Sequence, residues 1–215
     1  MVAGLGLFSL MLIDFSNDIR EEHYWAGLVE PPLAFLQDQG SDSLHVGVML
    51  PKGLSLSSNV SEGDSSLVLD RLKSGQVVLQ VDERIVARAF LPDKRGLLLE
   101  SDSSGREVFS LYRWIIANRL DGSEDIESDI ALLETVLNIK LSLIKDVDKL
   151  NSQLLLTDIA DFGYHDYLST TAHVSVFQLK SGEIYELVFK APYSAFSWLI
   201  FFFILSYTVM ALALS

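Results

Sequence analysis

The sequence predicts an α+β fold: a small membrane-proximal domain of short strands with two amphipathic helices, one C-terminal transmembrane helix, and a short apolar N-terminal segment. Three observations carry that expectation. No charged residue occurs from Ala191 to Ser215. Upstream, runs with period-two alternation flank two stretches whose apolar residues recur at steps of three and four. The last of the alternating runs is separated from Pro192 by only Lys190 and Ala191.

Met1 to Ile13, MVAGLGLFSLMLI, is apolar and is followed at once by Asp14 and Asp18. Such a stretch is too short to cross about 30 Å of hydrocarbon, and three readings stay open. A signal peptide suits the length, although no positive n-region and no clear small-x-small cleavage site is present. A buried or interfacial segment is the usual meaning of ten to fourteen apolar residues. A second anchor completed by neighbouring subunits would place Asp14 as an acid at the membrane boundary, where acids are costly and often functional. Residues 1–18 make up this segment. Residues 19–43, with Pro31-Pro32 and the polar run Gln37 to Ser43, are expected to be an irregular entry region.

The acidic α+β domain is assigned to residues 44–190. His45, Gly47 and Met49 alternate with Val46, Val48 and Leu50, a strand that Pro51 ends. Leu54 to Ser66, rich in Ser and Gly, is expected to be a loop. It holds an Asn59-Val60-Ser61 glycosylation triplet, a pattern that arises often by chance. Further strands are expected at Leu67 to Leu69, at Gln76 to Val81 after the Lys73-Ser74-Gly75 turn, and at Leu97 to Glu100 after Lys94-Arg95-Gly96.

Helical spacing follows. Ser104 with Glu107 fits a capping box, and Val108, Leu111, Tyr112 and Ile115 form a stripe that ends near Asn118. A second helix is expected from Ser123 to Lys149. Its first turn carries Glu124, Asp125 and Glu127, and it ends on Lys145 and Lys149, charges that complement the helix dipole at both ends. Ile130, Leu133, Leu137, Leu141 and Ile144 form its main stripe, which would pack across a sheet or form a subunit interface. Gln153 to Thr157 is a further strand candidate. The clearest hairpin is the last: Val174 to Leu179, a Lys180-Ser181-Gly182-Glu183 turn, and Ile184 to Phe189. No internal repeat is visible in the sequence.

Residues 192–215 complete the chain as a spanning helix. Ala195 to Leu214, AFSWLIFFFILSYTVMALAL, is long enough at 1.5 Å per residue to cross a bilayer. Pro192 suits its first turn, Trp198 lies near the entry interface, and Phe201, Phe202, Phe203 and Tyr207 would face lipid or neighbouring helices. Lys180 and Lys190 precede the span and no basic residue follows it, which favours an integral membrane protein whose main domain faces the cytoplasm. The short connection holds that domain close to the bilayer.

The formal net charge of −13 repels phosphate backbones, so nucleic acid is not an expected partner, while binding to a basic protein surface stays open. Without cysteine there is no disulfide, thiolate metal site or Cys nucleophile. The densest polar group is Asp158, Asp161, His165 and Asp166 in TDIADFGYHD, a weak candidate for a divalent cation or for acid–base work, because its spacing matches no metal-loop pattern and such residues suit turns. Asp161-Phe162-Gly163 stands without the other kinase motifs, and no Walker loop, G-x-S-x-G or H-E-x-x-H occurs. No catalytic residue and no cofactor is therefore assigned.

These features point to a non-catalytic accessory or assembly subunit of a membrane complex, partnered by the bilayer and by other membrane subunits. An alternative is a component of an ion-driven motor or transporter with Asp14 at the membrane boundary. The architecture is similar to that of small motor partner subunits that join one membrane helix to a small α+β domain, except that their helix comes first in the chain. A second alternative is a membrane-anchored hydrolase using Asp158 to Asp166.

Overall fold

The computed structural model describes residues 2–39, 49–57, 65–144, 153–168 and 172–189. The chain is α+β, with two antiparallel four-stranded sheets and five helices among the described residues. Sheet A contains β1 (Leu54–Ser57), β2 (Val78–Val81), β3 (Arg84–Phe90) and β4 (Gly96–Asp102) in the order β1-β4-β3-β2. Sheet B contains β5 (Ile139–Leu143), β6 (Tyr164–Leu168), β7 (His173–Gln178) and β8 (Ile184–Phe189) in the order β5-β8-β7-β6.

The two sheets repeat one topology. In each, the first strand leads through a helix to three consecutive antiparallel strands, and the last strand returns to pair with the first. The ladders superpose by residue number. Ala87 pairs with Leu99 in sheet A, and Ser175 pairs with Leu187 in sheet B, each 88 positions further along. The first strands follow with a shift of 87, Leu54 opposite Leu99 and Leu141 opposite Leu187. The hairpin turns also match: Leu91 N–H donates to Arg95 O as Leu179 N–H donates to Glu183 O, both at 2.9 Å. Left-handed Lys94 (φ 68°) occupies the place of Gly182 (φ 93°). The sequence shows no repeat because few aligned side chains are the same; the register is held by backbone pairing and burial pattern.

Helix α1 (Val2–Gln39) is one uninterrupted helix and corrects the expectation of an irregular region at 19–43 as far as Gln39. Tyr24, Trp25, Leu28, Val29, Leu33 and Leu36 are buried in the main core, and Gln37 Nε2 donates to Phe90 O at 2.8 Å. Pro31 and Pro32 lie inside it. A proline at position 32 removes the donor for the carbonyl of Leu28. That carbonyl accepts instead from the buried Tyr112 hydroxyl at 2.8 Å, so tertiary packing supplies what the helix lacks.

Helix α2 (Ser66–Lys73) replaces the strand expected at 67–69: Ser65 caps it by accepting from Val68 N–H, and Leu72 is its buried residue. The expected loop at 54–66 instead begins with β1. Strand β3, where none is expected, buries Ile85, Ala87 and Ala89 on one face. Helix α3 (Arg106–Leu120) buries the expected stripe of Val108, Leu111, Tyr112 and Ile115 and bridges the two sheets. The Ser104–Glu107 capping box does not form. Ser104 donates to Asp102, Glu107 accepts from Ser101 Oγ, and the N-cap position is Gly105 at φ 71°, where the Trp25 indole fills the space a Cβ would need.

The long second helix is also corrected. Helix α4 (Ile126–Val136) starts at Asp125, whose carboxylate accepts from Ser128 N–H, and ends at Leu137–Asn138, where Asn138 takes a left-handed conformation (φ 53°). Ile139, Leu141 and Leu143 then alternate as β5. Helix α5 (Gln153–Phe162) stands where a strand was expected at 153–157 and packs on β6 and β7 through Ile159, Val174 and Val176. The final hairpin, β7 and β8, forms at its expected place.

The strand expected at 45–50 and the Asn59 triplet fall largely or wholly outside the described residues, as do Lys145 to Lys149 and all of 192–215 with Trp198, Phe201, Phe202, Phe203 and Tyr207. Among the described residues, no helix is long and apolar enough to cross a membrane.

Candidate functional site

Strand β6 is an edge of sheet B, and its alternation sends polar side chains to both faces. Tyr164 and Asp166 meet α3. Arg113 Nη1 donates to Asp166 Oδ1 at 2.6 Å, to Oδ2 at 2.8 Å and to Ser175 Oγ at 3.0 Å, while the Arg113 guanidinium lies 3.9 Å from the Tyr164 ring centroid. Ser175, opposite Asp166 in the ladder, donates its own hydroxyl to Asp166 Oδ1 at 2.6 Å. Carboxylate, hydroxyl and guanidinium thus close on one another in a part-buried network, where charge-assisted bonds are strong and an unpaired member is costly.

On the other face, His165 Nδ1 lies 2.6 Å from Asp158 Oδ2 of α5. The His165 and Tyr167 rings are 5.8 Å apart, and the Tyr167 hydroxyl lies 3.5 Å from Glu186 Oε1. Burial, with the Glu186 charge adding to it, raises the Tyr167 phenol above its usual range. A carboxylate on Nδ1 orients an imidazole as an acid–base group. His173, at the start of β7, is half-buried and stacks on Phe109 at 5.1 Å. Burial holds its imidazole below the usual value against a weaker opposing pull from Asp166.

Asp158, Tyr164, His165, Asp166, Tyr167 and His173 line a cleft of about 430 Å³ whose wall also includes Ser104 and Arg106 at the start of α3. A larger cavity of about 820 Å³ lies at the other end of α1, between Gln37, Leu72, Phe90 and Leu91. It holds no comparable convergence of titratable groups.

The four residues singled out from TDIADFGYHD are therefore divided. Asp158 and His165 pair on one side of β6, Asp166 is bonded to Arg113 on the other, and Asp161 is exposed on α5. Among the described residues, no three His, Asp or Glu side chains converge to hold a metal ion. Of the interface candidates, Leu133, Leu137 and Leu141 are buried in the chain's own core, Ile130 packs against that core, and Ile144 packs against the smaller cluster under α5. Asp14 lies within the helical span of α1. Arg113, Ser175 and Tyr164 are not legible as site residues in the sequence; the one signal there is an arginine beside the apolar stripe of α3, and nothing links it to Asp166, 53 positions on. No family model, no curated protein and no solved structure matches this chain.

Proposed function

We propose that this chain is a membrane-anchored, non-catalytic accessory or assembly subunit of a multi-protein membrane complex. Its C-terminal helix makes intramembrane contacts, and its acidic α+β domain serves as the recognition surface. One observation carries the reading: β8 is an interior strand of sheet B, and its last residue, Phe189, is buried in the main core. Only Lys190 and Ala191 separate it from Pro192, where the spanning segment is expected to start. A domain whose core strand leads so directly into an apolar span is held against the bilayer with little freedom to swing, which suits a fixed place among other subunits better than a reaching tether. The bonding at β6 agrees with this reading, since Arg113, Asp166 and Ser175 satisfy one another and hold α3 to sheet B.

Extraction of the chain in mild detergent at native expression, followed by the mass and composition of what accompanies it, tests the proposal. Stoichiometric companions that carry membrane helices are the expected result. A lone monomer would refute it and return attention to the His165–Asp158 pair.

A further inference from the structure

We infer that the chain enters the membrane twice from the same side of the domain, with Met1 to Ile13 as a second leg beside the C-terminal helix. The inference rests on the anchored reading above and adds the bilayer as the partner of the N-terminal segment.

The domain releases both apolar ends at one place. Among the residues of α1 whose burial is described, the first core residue is Tyr24, preceded by exposed Glu21, Glu22 and His23. The last core residue of β8 is Phe189. Three ring contacts join them: Tyr24 to His173 at 6.0 Å, His173 to Phe109 at 5.1 Å, and Phe109 to Phe189 at 5.0 Å. The rest of α1 runs away from this point, since Gln37 reaches Phe90 at the opposite end of sheet A. The helix before Tyr24 therefore projects from the end of the domain where β8 also finishes.

The chain lengths allow this as well. α1 is unbroken from Val2. At 1.5 Å per residue, Ile13 lies about 16 Å along the axis from Tyr24. From Phe189, the chain reaches Ala195 within at most about 20 Å when extended. The residues after Phe189 are thus long enough to reach the depth at which the first apolar stretch begins. The apolar N-terminal stretch, about 20 Å as a helix, covers two-thirds of the hydrocarbon, a mismatch that local thinning accommodates, with Asp14 and Asp18 marking where the apolar stretch ends. A continuous helix from lipid to core would also couple the bilayer mechanically to the Trp25–Gly105 contact at the start of α3.

The chain contains no cysteine, so single substitutions give unambiguous label sites. Full-length protein carrying S9C, S206C or S181C, each spin-labelled and reconstituted into phosphatidylcholine vesicles, is read by relaxation enhancement with oxygen against a water-soluble nickel chelate. L7C repeats the N-terminal test should S9C fail to reconstitute. The expected result is strong oxygen and weak nickel effects at 9 and 206, with nickel access at 9 severalfold below that at 181, in the exposed β7–β8 turn. Lipid-like behaviour at 206 with nickel access at 9 overturns the second leg and leaves the anchored reading intact. So does a position 9 shielded from both reagents, which means burial in protein. Nickel access at 206 removes the anchored reading, and this inference falls with it.

Discussion

The hydroxyl of Tyr112 on α3 donates to the carbonyl of Leu28 on α1 at 2.8 Å, and Leu28 is the residue whose helical donor Pro32 lacks. Burial raises the Tyr112 phenol well above its usual range, so it stays a donor across the working pH range. Y112F leaves a buried carbonyl without a partner and should cost about 1–3 kcal/mol in unfolding of the full chain in mild detergent. P32A returns an N–H to the helix. In that background the Y112F loss should shrink by about half or more, a coupling that a double-mutant cycle reads directly. An equal loss in both backgrounds would show that the proline and the tyrosine are unconnected.

Arg113 should matter more than an exposed ion pair. Its side chain is 11% exposed and that of Asp166 is 26%, so removing either strands a part-buried charge. R113A is expected to lower stability by about 1–3 kcal/mol, and D166N by less, because the amide still accepts from Arg113. High salt should leave most of the difference in place, in contrast to the exposed Lys180–Asp121 contact at 3.9 Å. Urea unfolding at two ionic strengths makes the comparison.

The duplicated hairpins give a prediction of opposite sign at matched positions. Gly182 has φ 93°, and a Cβ added there would meet open space, its closest neighbour being Gln178 Nε2 at 4.0 Å. G182A therefore pays the left-handed backbone cost alone, about 1–2 kcal/mol. Lys94 already carries that cost at φ 68°. K94G should therefore be neutral or stabilising by up to about 1 kcal/mol. Thermal midpoints of the two single variants decide it; a loss at both positions would mean that the Lys94 side chain contributes more than its backbone strain.

His173 makes stability depend on pH. Its pKa in the folded chain lies below the ordinary 6.5 because burial disfavours the imidazolium. Around that range the unfolded chain binds more protons than the folded one, so stability rises with pH. The contribution is complete above about 6.5 and is lost as the pH falls from there toward the lowered folded value. H173F, which keeps a ring against Phe109, should flatten the melting temperature between about pH 7 and pH 5. An unchanged slope would assign the acid sensitivity to other groups.

Much of the domain was legible in local pattern. The β7–β8 hairpin, the stripe of α3 and the strand at 97–100 follow from short-range alternation, helical spacing and turn residues. The errors share a cause. Pro31-Pro32 reads as a helix break unless a distant Tyr112 is known to bond Leu28. The stripe from Ile130 to Ile144 satisfies helical spacing, yet Ile139, Leu141 and Leu143 satisfy alternation equally well, and the left-handed Asn138 decides between them. Leu67 to Leu69 looks like a strand until Ser65 caps it as a helix.

What the sequence determined by itself was chemical: an acidic chain without thiols, an uncharged C-terminal run long enough to span a bilayer, a second apolar segment too short to do so, and α and β elements mixed without βαβ alternation. The tertiary structure alone decided that the two sheets repeat one register, that Arg113 meets Asp166 while His165 turns away to Asp158, and that Tyr24 and Phe189 share one end of the core. Composition and periodicity act over a few residues along the chain. Which side chains converge across 50 or more positions depends on how buried faces and backbone ladders are satisfied together.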